Sequence, residues 1–341
     1  MLLILGLNFR QFFKQIKKIR LKNWLFISVL TLFINEIVKN DQLAVSWLSA
    51  KILLIFFTIK TIKIDQKTLK ISLLSSLIFQ SLLAFYQFFF QKQLFGYLFF
   101  GEANLEQYYN LAKGWQEKIL AYGTTAHPNI LAGWAVLSWW LLIKKTNLHK
   151  HWKIISSICV IAILLFTQSI SALLAFLLAL LTIFLKLNNK TLLILSSIII
   201  ISAPVSIGFL AKQSSNPSIW RRHYLNQAAI NMIKNKPLFG VGINHFTIFV
   251  EKFAEKQEIV RFVQPAHHFL LLWTAETGIL GILILSLMMY KLWQNKQQTE
   301  LLTFLLIISP ILALDHYLLT ISTGQLILFL GVKLIKINEQ T

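Results

Sequence analysis

Residues 191–211 read TLLILSSIIIISAPVSIGFLA, without a single charged side chain. The hydrocarbon core of a bilayer requires about 20 consecutive apolar residues of a helix. In lipid the backbone must satisfy its own hydrogen bonds, which an α-helix does within one segment. The stretch is therefore predicted to be a membrane-spanning helix. On its N-terminal side lie Lys186 and Lys190, and on its C-terminal side a long polar interval runs over 212–266.

The composition extends that reading to the whole chain. Of 341 residues, 56% are hydrophobic and only 13% charged, where a soluble domain carries roughly 25% charged residues. The sequence is expected to be all-α and integral to a membrane. Its net charge of +20 does not indicate nucleic-acid binding. The Lys and Arg residues concentrate in short loops between apolar runs, where they set topology. The one cysteine, Cys159, lies inside an apolar run, so neither a disulfide nor a cysteine metal site is expected. Residues 1–9 are apolar but too short for a cleaved signal peptide, and no small-residue cleavage site follows.

Ten spans are predicted, at about 23–39, 42–60, 69–90, 128–145, 153–168, 170–186, 191–211, 267–292, 300–315 and 317–335. Residues 1–20 are expected to lie on the membrane surface as an amphipathic helix. The basic segments Arg10–Lys22, Lys60–Lys70, Lys144–Lys153, Lys186–Lys190 and Lys291–Lys296 all fall on one side, which the positive-inside rule assigns to the cytoplasm together with both termini. The opposite side receives a polar interval over about 92–126, containing Glu102, Glu106 and Glu117, the turns Gln168-Ser169 and Asp315-His316, and the large loop 212–266 between spans seven and eight. A multi-pass protein of the cytoplasmic (inner) membrane, one polytopic domain over 1–341, is the expectation.

The large loop carries the chemistry-bearing residues. Asn216-Pro217-Ser218 has the form of a helix start, with Asn as cap and Pro in the first turn. Arg221-Arg222 follows. Arginine presents a planar fork of donors to phosphate and keeps its charge. The plain alternative is an interfacial pair snorkelling towards lipid headgroups, although positive charge on the outer side runs against topological preference. The loop ends at Ala266-His267-His268. A histidine at a membrane boundary has the acidity of a general base, and its plain alternative is helix capping. His268 and His127 present the same choice. Glu276, about two turns beyond His267, is an ionisable group inside a span, which serves either function or a helix–helix hydrogen bond.

Other chemistries are excluded on spacing. No HExxH or comparable pattern joins the histidines into a metal site. Gly240-Val241-Gly242 lacks the third glycine and the preceding strand of a dinucleotide fingerprint. No P-loop occurs, and no cofactor is expected.

Four stretches, in order, resemble the O-antigen ligase/polymerase superfamily of polytopic bacterial membrane proteins. Gly123-Thr124-Thr125-Ala126-His127-Pro128-Asn129-Ile130-Leu131-Ala132-Gly133 is similar to that family's G-T-F-x-H-P-N-x-L-A-G motif. Thr167-Gln168-Ser169-Ile170-Ser171-Ala172 is similar to its T-x-S-R-x-A turn. Arg222, Ala228–Ile233 and Pro237-Leu238-Phe239-Gly240-Val241-Gly242 resemble its large external loop. Ala266-His267-His268-Phe269-Leu270, then Glu276-Thr277-Gly278-Ile279-Leu280-Gly281, resemble the A-H-N-x-x-L and E-x-G-x-x-G ending. Two positions depart from the pattern: Ile170 stands where the family has arginine, and His268 where it has asparagine.

The resemblance implies a metal-independent membrane glycosyltransferase with an undecaprenyl-diphosphate-linked glycan as donor. By the same resemblance Arg222 binds the diphosphate and His267 acts at the reaction centre. Arg221 joins Arg222 on grounds of charge. His268, Glu276, His127 and Asn129 are candidate supporting residues. The implied reaction transfers the glycan to an acceptor hydroxyl, on lipid A–core or another surface glycan, at the outer face of the membrane. Polysaccharide polymerase and protein O-oligosaccharyltransferase activities belong to the same superfamily. A transporter or flippase is the competing class, since it too uses many spans and few polar residues.

Overall fold

The computed structural model describes residues 66–96, 101–102, 104–105, 118–214, 216–255, 264–293 and 298–336. The predicted spans at 23–39 and 42–60, the surface helix at 1–20, Glu106 and Glu117 lie outside the described residues.

Among the described residues the fold is all-helical. The helices are α1 (Gln66–Phe90), α2 (Pro128–Lys145), α3 (Lys150–Thr167), α4 (Ile170–Phe184), α5 (Asn189–Gln213), α6 (Pro217–Asn235), α7 (Phe246–Phe253), α8 (Phe269–Trp293), α9 (Gln298–Leu314), α10 (Tyr317–Thr320) and α11 (Ser322–Lys336). Lys67–Phe90, Lys150–Thr167, Asn189–Gln213 and Phe269–Leu287 are long and apolar enough to cross a membrane. Helices α4 and α9 are shorter and also apolar. Two of the long helices carry apolar exposed stripes: α3 exposes Ile154, Ile158, Ile161 and Leu165, and α5 exposes Ile194, Ile198, Ile201 and Val205. In water such stripes mark a liability or a partner; on a multi-pass membrane protein they face lipid.

Two compact units divide the chain. One consists of Ile64–Ile200 with Thr299–Thr341. Its centre is α2, buried along nearly its whole length and packed against α1, α3, α4 and α11. Trp139 meets Phe176 of α4 with ring centroids 4.9 Å apart and donates through Nε1 to Ser157 of α3 at 2.9 Å. Gly133 gives α2 a notch. A Cβ there would stand 1.8 Å from the Tyr317 hydroxyl, so the absent side chain lets Tyr317 lie against the helix. At the basic end of α2, Lys145 pairs with Glu300 of α9.

The last predicted span, about 317–335, is two helices rather than one. Ile321 adopts extended backbone between α10 and α11. Gly324 packs so closely on the Tyr317 carbonyl that a Cβ would lie 2.2 Å from its oxygen.

The described part of the other unit lies within Ile201–Gln298. Here α6 packs along α8, and α7 touches both. The interval 212–266 is thus substantially helical, through α6 and α7.

Candidate functional site

The start of α6 forms as its sequence predicts. Asn216 accepts the Ser218 N–H at 2.9 Å and Pro217 occupies the first turn. This fills one of the orphan donors that every helix start presents. Arg222 lies one turn further on and donates from Nη1 to the Ser218 hydroxyl at 3.2 Å. Arg221 and Arg222 are half-buried. Burial, and then the charge of Arg222, hold the Arg221 guanidinium below its ordinary pKa. A negative charge beside the pair would favour the charged guanidinium.

Beyond α6 the segment Pro237–Gly242 runs into α8, which is broken at Gly278 (φ 65°, ψ −159°). The break frees carbonyls on one side and N–H groups on the other, and the loop satisfies both. Val241 N–H donates to the Ala275 carbonyl and Gly242 N–H to the Glu276 carbonyl, each at 2.9 Å. In the other direction Ile279 N–H donates to the Pro237 carbonyl at 2.8 Å and Leu280 N–H to that of Leu238 at 3.4 Å. Backbone released inside a membrane span is tolerated where protein re-satisfies it, and the loop performs that role here.

Glu276 belongs to this clamp. Helix α7 begins at Phe246 after His245, whose side chain does not cap it. The Glu276 carboxylate accepts the Phe246 N–H at 3.2 Å instead. It is buried and holds α7 against α8, as the structural reading of an ionisable group in a span anticipates.

His267 stands just before α8, half-buried, with Nε2 3.3 Å from Gln264 Oε1. When Nε2 carries the proton and donates it to Gln264, the basic lone pair resides on Nδ1. His268 is buried, and its Nδ1 accepts the Leu271 N–H at 3.3 Å, the geometry of a helix N-cap. The family's asparagine is a good capping residue, and His268 caps in its place.

His127 and Asn129 lie in the other unit. His127 is exposed and caps α2, accepting the Asn129 N–H at 3.2 Å through Nδ1. Asn129 donates from Nδ2 to Asp315 at 2.9 Å. The second oxygen of Asp315 accepts the Ser171 hydroxyl at 2.5 Å. One buried carboxylate therefore joins the Asn129 motif, the Ser169–Ser171 turn and the end of α9. Ser169 caps α4, and Ile170 beside it is 68% exposed. The position that carries arginine in the family thus points away from this carboxylate hub.

The segment leading to His127 is fixed by Gln80 and Gln87 of α1 and by Gln91 just beyond its end. Gln87, fully buried, accepts the N–H groups of Tyr122 and Gly123 at 2.9 and 2.8 Å and donates to the Gly123 carbonyl at 3.1 Å. Gln80 binds Thr124 and Gln91 binds Ile119. Glu102 accepts from Gln87 and from the N–H groups of Leu94, Phe95 and Gly96. The sequence signal for this ladder was present: Gln80 and Gln87, seven residues apart on one face of an otherwise apolar span, are costly unless bonded.

Arg222, on α6, and His267, just before α8, thus share one unit in which α6 packs along α8, while Arg222 bonds to Ser218 rather than to His267. His127, Asn129 and Asp315 form a separate cluster in the other unit. Among the described residues no three His, Cys, Asp or Glu side chains gather as a metal-binding group.

Residues 155–286 match the family model described as O-antigen ligase. The match contains Arg222, both halves of the backbone clamp, and His267, and it supports the resemblance to the O-antigen ligase/polymerase superfamily. The Gly123–Gly133 motif lies N-terminal to the matched stretch. No protein of curated function matches the chain.

Proposed function

We propose that this multi-pass membrane protein is an O-antigen ligase-like glycosyltransferase. It moves a glycan from undecaprenyl diphosphate to an acceptor hydroxyl at the outer face of the cytoplasmic membrane. One observation carries the reading: the stretch matched to O-antigen ligase includes both Arg222, on α6, and His267, at the start of α8, and those helices pack side by side.

The chemistry follows from the groups. The acceptor oxygen attacks the anomeric carbon while the bond from that carbon to the diphosphate oxygen breaks. The acceptor proton passes to His267, and the electron pair of the broken bond stays on the diphosphate. Removing the proton during attack is general-base catalysis. Arg222, with Arg221 beside it, stabilises the charge that develops on the leaving oxygen. Fixed guanidinium groups do the electrostatic work that a divalent cation does elsewhere, so the reaction proceeds without metal. The donor's polyprenyl tail is apolar and accounts for an enzyme embedded in a bilayer. The acceptor is a lipid-linked or free glycan; polymerase and protein-glycosylating members of the superfamily share the donor half of this mechanism.

The transporter reading draws on the break in α8, since discontinuous helices line many transport sites. The groups freed at Gly278 are engaged by the Pro237–Gly242 backbone, which leaves them little capacity to coordinate a passing substrate.

The test is transfer in vitro. Purified protein receives undecaprenyl-diphosphate glycan in EDTA, with lipid A–core, glycan or peptide acceptors, beside Arg222→Ala and His267→Ala. Release of undecaprenyl diphosphate by wild type and by neither variant is the expected result. Donor binding without turnover on any acceptor would overturn the transferase reading.

A further inference from the structure

Ser218, Arg222 and Asn226 are spaced four residues apart on α6 and therefore share one face. The stripe runs inward: Ser218 is exposed, Arg222 half-buried, and Asn226 only 3% exposed. Arg222 uses Nη1 on Ser218, yet its Nε is buried without a hydrogen-bond partner. Both Nδ2 and Oδ1 of Asn226 are buried in the same condition. Native proteins bond nearly all such groups, and each exception needs an explanation. Two exceptions one turn apart on one face, beside the arginine already read as the phosphate ligand, have a common explanation.

The unmet groups differ in kind. Arg222 Nε–H only donates, which suits an anionic oxygen. The Asn226 amide both donates and accepts. An ionised phosphate only accepts, so it would leave Oδ1 unmet. A sugar hydroxyl or acetamido group supplies donor and acceptor together. Four residues of helix rise span about 6 Å, the scale of the step from a phosphate to the sugar it carries. We infer that Asn226 recognises the first sugar of the donor glycan, one helical turn beyond the diphosphate held by Arg222. The assignment rests on the polyprenyl-diphosphate donor proposed above and adds a specificity-determining residue to it.

Binding in lipid nanodiscs tests this, with undecaprenyl diphosphate bare or carrying N-acetylglucosamine, N-acetylgalactosamine or galactose. Wild type is expected to prefer at least one sugar-bearing probe over the bare lipid by about tenfold, the worth of one or two neutral hydrogen bonds. Asn226→Leu should bind every probe with the affinity of the bare lipid, and should melt no lower than wild type, because it removes a buried unbonded amide at nearly constant volume. Asn226→Ala carries the same comparison if the leucine variant does not fold. Arg222→Ala should weaken all probes together and keep the sugar preference. A sugar preference that survives in the Asn226 variants, or is absent from wild type while the bare lipid still binds, overturns the role of Asn226 and leaves the donor reading standing. A wild type that binds none of the probes overturns both.

Discussion

Gly240 and Gly278 each lie where the backbone of the other's segment fills the space that a side chain would need. A Cβ on Gly240 would lie 2.3 Å from the Glu276 carbonyl carbon, and one on Gly278 would lie 2.4 Å from that of Leu238. Both have positive φ, at 61° and 65°, a region that L side chains seldom adopt. The contacts are backbone on backbone, so no rotamer change relieves them. Either Gly240→Ala or Gly278→Ala should destabilise the protein by about 3 kcal/mol through strain and lost hydrogen bonds. The double variant should cost clearly less than the sum, because both substitutions open one interface. Thermal melting of the four proteins in detergent checks this; simple additivity would mean that the two glycines act independently.

Glu276 is predicted to serve as an acceptor rather than as a charge. Glu276→Gln retains an oxygen for the Phe246 N–H and should keep nearly wild-type melting and turnover. Glu276→Ala loses the cap of α7 and should cost about 1–2 kcal/mol, in the range of other lost caps. An inactive but stable Glu276→Gln protein would instead place the carboxylate in the chemistry.

Asp315 holds Asn129 and Ser171 through separate oxygens. Asp315→Leu strands the half-buried Asn129 amide and the buried Ser171 hydroxyl, and should cost on the order of 2–3 kcal/mol. Asp315→Asn keeps one acceptor and should cost roughly half as much. A double-mutant cycle between Asn129→Ala and Asp315→Ala should give a coupling of about 1 kcal/mol. A coupling near zero would dissolve the hub.

Gln87 and Gln91 each bond three backbone groups, so they should rank by burial, since an unmet group costs most where water cannot reach it. Gln87→Leu deprives Tyr122, Gly123 and Glu102 of partners and should cost about 3 kcal/mol or more. Gln91→Leu, at a half-buried site, should cost nearer 1 kcal/mol. Hydrogen exchange at Tyr122 and Gly123 should accelerate in the Gln87 variant and stay slow in the Gln91 variant.

At the proposed reaction centre, His267→Ala should lower turnover by about 10²–10⁴-fold, the usual worth of a general base, while leaving donor binding intact. Arg222→Lys should not restore the activity lost in Arg222→Ala, since a point charge cannot reproduce the guanidinium fork. Steady-state release of undecaprenyl diphosphate separates these outcomes, and full rescue by lysine would reduce Arg222 to a general positive charge.

What the sequence determined on its own is local or compositional. Hydrophobic run length placed the apolar helices α1 to α5, α8 and α9, because lipid tolerates only apolar side chains on a self-bonded backbone. Asn216, Pro217, Ser169 and Gln168 marked helix ends, because caps and turns act on backbone groups two to four residues away. The tertiary structure alone decided what lies between distant segments. Hydropathy weighs side chains, so it read 267–292 as one uninterrupted span and gave no sign of the break at Gly278. Nor does residue type reveal that Pro237–Gly242 supplies the backbone partners for that break, since any residue carries the same N–H and carbonyl. The meeting of Asn129, Ser171 and Asp315 in one unit, and the burial of Asn226 with its amide unbonded in the other, depend likewise on which faces the helices turn inward, which is fixed only when the helices of each unit pack.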